Sequence, residues 1–116
     1  MARAVPTSTQ LASAAPIFTA LGDETRLRLV TRMCHEGPLS ITSLADGTTL
    51  SRQAVTKHLR MLSEAGLARP ERVGREQRWQ IEAKRLAEVR RLLAQIGDQW
   101  DESLRRLRTF LDDDRS

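Results

Sequence analysis

Apolar residues recur at helical spacing along most of the chain, and glycine, proline and small polar residues separate the repeats. Asp23, Ser40 and Ser51 stand where N-caps are preferred, and Pro16 lies inside the first repeat, so we expect that helix to kink or restart there. The second repeat predicts Leu27, Leu29, Val30 and Met33 as buried residues. The predicted helices span about residues 9–21, 24–35, 41–46, 51–65 and 83–112.

Residues 67–73 and 77–81 have strand-like patterns instead. Gly74-Arg75 between them predicts a two-residue hairpin turn with glycine at its first central position. Trp79 and Ile81 share one face of the second strand, but the register is ambiguous, so no cross-strand pairs are assigned. The predicted fold class is mainly α with a small β-hairpin: a winged helix-turn-helix with a long C-terminal dimerisation helix.

The last predicted helix carries an apolar stripe that one small domain cannot cover. Its apolar residues lie 3, 4, 3, 4, 4, 3 and 4 positions apart, close to a heptad seam, and about thirty helical residues extend about 45 Å. We expect the stripe to pack against a second copy, together with the first helix; the alternative is a helix folded back on its own core. Gly97 allows a bend or break there. The predicted dimerisation residues are Leu11, Phe18, Leu86, Val89, Leu93, Ile96, Trp100, Leu104, Leu107 and Leu111.

Length and composition fit one domain, residues 9–112, between a disordered N-terminal tail (1–8) and a frayed acidic end (113–116). Aromatic residues make up only 3% of the 116 residues, which argues against a β-sandwich. One cysteine excludes an internal disulfide or a multi-cysteine zinc site within one chain. No apolar run suits a membrane span or a signal peptide, so we expect no membrane partner, and the single cysteine is compatible with a cytoplasmic protein.

The basic excess is confined to residues 52–78, where seven Arg or Lys residues and three Glu residues give +4, equal to the net charge of the chain. Such an excess is the expected footprint of a nucleic-acid face. Helix 51–65 adds amide, hydroxyl and cationic groups opposite an apolar stripe of Val55, Leu59 and Leu62, although an ordinary amphipathic surface helix has the same pattern. The predicted DNA-binding residues are Ser51, Arg52, Gln53, Thr56, Lys57, His58 and Arg60, with Arg72, Arg75 and Arg78 in the wing.

These residues divide by expected role. Gln53, Thr56 and Lys57 are expected to reach the bases, with Arg52 nearby, whereas Ser51 and Arg60 are expected to hold phosphates. The three wing arginines are expected on the flanking DNA backbone. His58 stays open between a DNA contact and a hydrogen bond to a neighbouring backbone group.

The order of the elements and two motifs resemble the ArsR/SmtB family of bacterial winged-helix repressors. The motifs are Leu21-Gly22-Asp23-Glu24-Thr25-Arg26-Leu27-Arg28-Leu29 and residues 51–62 with Ala65-Gly66-Leu67. The resemblance implies a bacterial homodimeric repressor that binds a double-stranded DNA operator, leaves it on a signal and represses its own operon. The inducer is unknown.

The chain departs from the family's metal sensors at both of their ligand positions. Where those sensors carry a cysteine pair on the third helix, this chain has Ala45 and Gly47; on the last helix it has Asp98, Asp101 and Glu102 but no histidine. Thiolates and imidazoles are the ligands that zinc-class ions select. We therefore expect the branch without a regulatory metal, and no cofactor.

Two other hypotheses stay open: a winged-helix dimerisation or protein-interaction module without DNA function, and a repressor that responds to oxidation of Cys34. Cys34 and His35 point about 100° apart on a helix, so their spacing does not make a nucleophile–base pair. We expect Cys34 to be buried or half-buried. No phosphate loop, paired catalytic carboxylates or Ser/His/Asp set occurs, so the sequence does not predict an enzyme.

Overall fold

The computed structural model describes residues 5–114. It contains five helices and a three-stranded antiparallel sheet, which confirms the predicted mainly α fold with a small hairpin and a long last helix. The elements are α1 (Ser8–Leu21), α2 (Glu24–Glu36), β1 (Leu39–Ser40), α3 (Ile41–Asp46), α4 (Arg52–Glu64), β2 (Ala68–Val73), β3 (Glu76–Ile81) and α5 (Ala83–Asp114).

Short polar side chains begin the first four helices. The predicted caps Asp23, Ser40 and Ser51 each accept from a backbone N–H three residues further on. The first helix begins earlier than predicted, because Thr7 and Gln10 form a reciprocal capping box in which each side chain accepts from the other residue's N–H, at 3.1 and 2.8 Å. Ser8 thus belongs to α1, with Thr7 as its N-cap, and not to the predicted disordered tail, whose residues 1–4 lie outside the described residues.

α1 continues without a break through Pro16, so the expected restart does not occur. Proline removes only its own N–H, and with it the bond to the carbonyl of Ala12 on the exposed side of the helix. Ala14, Ile17 and Ala20 are buried on the other side. We attribute the continuity of α1 to this packing, which offsets the lost hydrogen bond.

The core lies between α1, α2, α3, α4, the sheet and the first turns of α5. Val55, Leu59 and Leu62 are fully buried, as their spacing predicted. Leu29, Val30 and Met33 are buried too, but Leu27 is 49% exposed, so that prediction was wrong. At about 100° per residue, Leu27 falls on the far flank of the face that these three define.

The hairpin has the predicted turn, with Gly74 at φ 65° between paired Val73 and Glu76. Its register places Pro70 opposite Trp79. β1 was not predicted; it pairs with the other edge of β3 through Leu39 opposite Trp79. Two residues are too few to show an alternating pattern, and this short strand joins the hairpin to the residues that begin α3.

α5 is one helix of 32 residues, unbroken at Gly97 and extending to Asp114, two residues beyond the predicted bound. Val89, predicted at the dimer seam, lies instead in the core cluster that contains Ile17, because α1 packs on the first turns of α5. From residue 98 to residue 114 every side chain is exposed. None of the helices within residues 5–114 has an apolar stretch of the length needed to cross a bilayer.

Candidate nucleic-acid interface

Both ends of α4 are fixed by local hydrogen bonds. The Ser51 hydroxyl accepts from the N–H of Ala54 at 3.1 Å. At the other end Gly66 takes φ 80°, its N–H donates to the carbonyl of Ser63, and the N–H of Leu67 donates to the carbonyl of Leu62, both at 2.9 Å. These two bonds form a Schellman motif. Burial of Leu62 and Leu67 beneath the motif anchors the helix end in the core.

The outer face of α4 brings most of its predicted residues to one groove. The groove is lined by Arg52, Gln53, Thr56, Lys57 and Arg60 of α4, together with Ile41 and Thr42 of α3. The Thr56 hydroxyl donates to the carbonyl of Arg52 at 2.8 Å, so it faces the groove with its acceptor lone pairs and its methyl group.

Thr42, which is exposed at the start of α3, lines this groove but was not among the predicted DNA-binding residues. Its position as the second residue of the helix that precedes α4 was the signal that could have found it.

The wing arginines differ in their neighbours. Arg72 and Arg75 are exposed near the turn of the hairpin, and no side-chain partner is present for either within residues 5–114. Arg78 lies further down β3, half-buried, with its Nη2 3.2 Å from Glu76 Oε2. The structure therefore groups Arg72 and Arg75 at the exposed tip and compensates much of the charge of Arg78.

Net positive charge is confined to α4 and the wing. On α5, cations such as Arg90 and Arg91 also have no ionic partner among the described residues, but the seven basic residues of that helix are balanced by seven acidic ones. The arginines of the other helices include several that pair with glutamates, such as Arg28 with Glu24 and Arg32 with Glu36. Arg69, at the base of the wing, pairs with Glu82 at 2.6 Å. Of the seven basic residues in the segment 52–78, those without an ionic partner among the described residues are Arg52, Lys57, Arg60, Arg72 and Arg75. This distribution suits a polyanionic partner.

His58 lies away from this groove, half-buried against the start of α2. Its Nδ1 is 3.3 Å from Arg26 Nη1 and 3.9 Å from Asp23 Oδ2. The backbone N–H of Arg26 holds the pKa of Asp23 below its ordinary value; burial, the next largest effect, opposes it, and the charge of Arg26 adds to the lowering. The neighbours of His58 are thus side chains, not the backbone group that one of the two alternatives expected.

Cys34 is exposed in the last turn of α2, so the expectation of a buried or half-buried thiol was wrong. At about 100° per residue it lies beyond the arc that buries Leu29, Val30 and Met33. Asp98, Asp101 and Glu102 lie on the exposed part of α5. Within the described residues no three His, Cys, Asp or Glu side chains are grouped so that they could hold a metal ion.

Comparison with known proteins gives consistent results. A family model described as a helix-turn-helix domain matches residues 21–71. An HTH-type transcriptional regulator of Mycobacterium tuberculosis is 37% identical over 73 residues, which cover 63% of this chain and 67% of the relative. The structure of an ArsR-like transcriptional regulator from Rhodococcus sp. RHA1 is 36% identical, with a TM-score of 0.75 over 91% of this chain and 96% of that one.

A second similar structure supports the fold alone. It is the homodimeric winged helix-turn-helix DNA-binding domain of a Mycobacterium bovis protein, 22% identical, with a TM-score of 0.63 over 83% of this chain and 88% of that domain. The first two relatives share enough sequence over enough of their length to show the family. The chain belongs to the ArsR family of winged helix-turn-helix, DNA-binding transcriptional regulators.

Proposed function

We propose that this regulator is a homodimeric, autoregulatory repressor that reads an inverted-repeat operator through α4 and its wing. The observation that carries the proposal is the net charge of +4 on residues 52–78, whose unpaired cations lie on the outer face of α4 and at the wing tip, beside an exposed amide and a hydroxyl. Cations without protein partners supply the phosphate contacts from which most DNA affinity comes. By its family, the protein acts on DNA in a bacterial cytoplasm.

The side chains of the groove divide by chemistry. Gln53 carries a donor and an acceptor that match an adenine edge, and Lys57 and Thr56 lie close enough on the same face to contact neighbouring bases. Arg60 and the Ser51 end of the helix hold phosphates, and Arg52 and Thr42 flank the groove. Arg72 and Arg75 reach the adjoining DNA backbone, with Arg78 contributing after it exchanges Glu76 for phosphate.

The second copy is proposed from the apolar surface that the chain leaves uncovered. On α1, Leu11 and Phe18 are 47% and 37% exposed, and on α5 Trp100 is 67% exposed. Apolar surface of this extent marks an interaction site. The remaining exposed seam residues are Leu93, Leu104, Leu107 and Leu111, with Phe110 beside them.

A two-fold axis through such an interface predicts an inverted repeat. Its half-sites lie about one helical turn of DNA apart, or a multiple of that distance. Sedimentation of the full chain across concentration tests the dimer directly, and a monomer at every concentration would contradict this part of the proposal.

The test of DNA reading begins with selection of duplexes from a random library by the wild-type protein. Affinity for the selected duplex and for a random duplex is then measured across salt concentration. We expect a symmetric selected sequence and a logarithm of affinity that falls linearly with the logarithm of salt. Enrichment of no sequence together with salt-insensitive binding would favour the alternative, a dimerisation or protein-interaction module.

A second candidate follows from the exposure of Cys34. An exposed thiol is open to oxidation. Oxidation of Cys34 is therefore a candidate signal for release of the protein from its operator. The Cys34→Ser variant should then stay bound when the wild-type protein is released by peroxide. Equal release of both proteins would remove Cys34 as the sensor.

A further inference from the structure

Arg26 joins three helices at a point outside the groove just described. Its Nε donates to the carbonyl of Ala20 in the last turn of α1 at 2.7 Å, and its backbone N–H donates to Asp23 at the start of α2. Its Nη1 lies 3.3 Å from His58 Nδ1 and donates to Met61 Sδ at 3.0 Å, both on α4. One half-buried guanidinium therefore links α1, α2 and α4.

The contact with α1 satisfies a group that the helix itself leaves open. The carbonyl of Ala20 is among the last four of α1, which have no partner of their own in an α-helix. A cation there also opposes the negative end of the helix dipole. Arg26 therefore has a defined anchor on α1 in addition to its own helix.

The contact of Arg26 with α4 restricts the rotation of α4 about its own axis, which burial of the apolar stripe restricts less. Val55, Leu59 and Leu62 decide which side of α4 faces inward, but apolar burial is non-directional and tolerates small rotations of a helix about its axis. Hydrogen bonds are directional. Those of Arg26 act on the flank of α4 that carries His58 and Met61.

That flank lies about 140° around the helix from Gln53, as five residues at about 100° each require. A rotation of α4 that shifts His58 away from Arg26 therefore swings the amide of Gln53 along the groove by a similar angle. Base recognition depends on bidentate geometry and tolerates such a swing poorly. Phosphate contacts by flexible cationic side chains tolerate it better.

We propose that Arg26 is a positioning residue that sets the rotation of α4 relative to α1, and with it the ability of this regulator to discriminate between DNA sequences. The proposal rests on the proposed role of α4 in base recognition. Because α1 also carries Leu11 and Phe18 on its exposed side, a shift of α1 on its neighbours moves the carbonyl of Ala20, and Arg26 passes the shift to α4.

The test compares Arg26→Met with Arg28→Met. Arg28 lies on the same helix, but it is exposed and, among residues 5–114, bonds only Glu24 of α2, so its removal breaks no contact between the described helices. The measured quantity is the ratio of the dissociation constants for a random duplex and for the duplex selected by the wild-type protein. Thermal unfolding verifies that each variant is folded at the assay temperature.

We expect Arg26→Met to lower this ratio by about tenfold or more, the discrimination of one base contact, with an unchanged salt dependence because the number of phosphate contacts stays the same. Arg28→Met should leave the ratio within about twofold. Arg26→Lys keeps the charge but lacks the planar fork that serves two acceptors at once, so it should also lower the ratio, and it decides the test if Arg26→Met does not fold.

A folded Arg26 variant with wild-type discrimination would overturn the proposal and leave the function intact. If the wild-type protein itself selects no sequence, the proposed function fails, whatever Arg26 does.

A second measurement needs no DNA. When Arg26 donates to Nδ1 of neutral His58, the ring proton of His58 must lie on Nε2. In Arg26→Met, Nδ1 loses this hydrogen-bond donor, so the ¹⁵N chemical shift of His58 Nδ1 should change. Unchanged shifts would show that Arg26 does not hold this ring, which contradicts the proposal.

Discussion

Replacement of Gln53 should affect recognition of the selected sequence more than affinity for random DNA, because the Gln53 amide is proposed to hydrogen-bond a base. Gln53→Ala should cost about 1–3 kcal/mol of binding to the selected duplex and relax the preference at one position of each half-site. Binding to random duplex should change little. Competition assays with singly substituted duplexes measure both effects. The matched control is Gln99→Ala on the exposed part of α5; an equal loss in the two variants would remove Gln53 from base reading.

Arg75 at the turn of the wing is expected to act through charge alone. Arg75→Gln should weaken binding to every sequence alike and reduce the slope of log affinity against log salt by about 0.9, the value for one phosphate contact. Anisotropy titrations at several salt concentrations give this slope. Arg28→Gln, which removes an arginine already paired with Glu24, should leave it unchanged. A selective loss at the preferred sequence would show that Arg75 reads bases.

Asp23 makes the stability of the fold depend on pH. Its folded-state pKa lies below the ordinary value of 3.8, chiefly because it accepts from the N–H of Arg26. Its contribution is therefore fully present above the unfolded-state value and is lost as pH falls through the lower folded-state value. Asp23→Asn should be less stable than wild type at pH 7, and the difference should shrink steadily below about pH 4. Urea unfolding of both proteins at pH 7 and below about pH 4 tests this, and a stability difference that grows on acidification would contradict it.

For single residues, helical periodicity was the only basis for predicting which side chains are exposed and which are buried. Periodicity was enough to place Gln53, Lys57 and Arg60 on an exposed face, because they lie opposite a stripe that the core buries completely. Their contacts with DNA stay predictions. Periodicity was not enough for His58, whose neighbours Arg26 and Asp23 come from another helix. Cys34 and Leu27 failed for a related reason, since the width of the buried arc of α2 depends on which elements pack against it.

Helix boundaries were predictable because caps are local chemistry. Asp23, Ser40 and Ser51 each needed only the residues that follow them in sequence. β1 contains only two residues and depends on its non-local partner β3, so no local sequence pattern predicted it. The burial of Val89 likewise depends on where α1 packs along α5.

Gly66 ends α4 and Gly97 lies inside α5, so alanine at these two positions should have opposite effects on stability. Gly66 takes φ 80° in the Schellman motif, and an added Cβ would meet Arg85 Nε at 3.2 Å. Gly66→Ala should therefore lower the free energy of unfolding by about 1 kcal/mol or more. Gly97 lies inside α5 with nothing within 4 Å of an added Cβ, so Gly97→Ala should raise it by up to about 1 kcal/mol. Urea denaturation of both variants checks the signs, and destabilisation by Gly97→Ala would point to close packing against a partner.

The whole molecule is far more extended than its length requires. Its radius of gyration is 19.0 Å and its longest dimension 68 Å, whereas a compact domain of this length has a radius of about 13 Å. The excess comes from α5, whose last 17 residues, 98 to 114, are all exposed. Such a shape leaves the apolar seam of α5 available to a second copy.

Leu104→Glu should therefore dissociate the proposed dimer, because a carboxylate replaces an apolar side chain that is 63% exposed in one chain. Operator affinity should fall with it, since two half-sites would then be bound independently. Arg106→Glu introduces the same group about 200° around the helix and should leave the dimer intact. Sedimentation velocity of both variants measures the association. Retention of the dimer by Leu104→Glu would place the interface elsewhere.

The two-residue strand β1 has a consequence for the partner as well as for the protein. Because β3 is hydrogen-bonded on both sides, to the hairpin strand and to the residues that open α3, we expect the separation between the wing and the outer face of α4 to be the same before and after the protein binds DNA. Any mismatch between that separation and straight B-form DNA must then be absorbed by the duplex. Operators with easily bent pyrimidine–purine steps between the two contacts would thus be favoured at positions that no side chain touches.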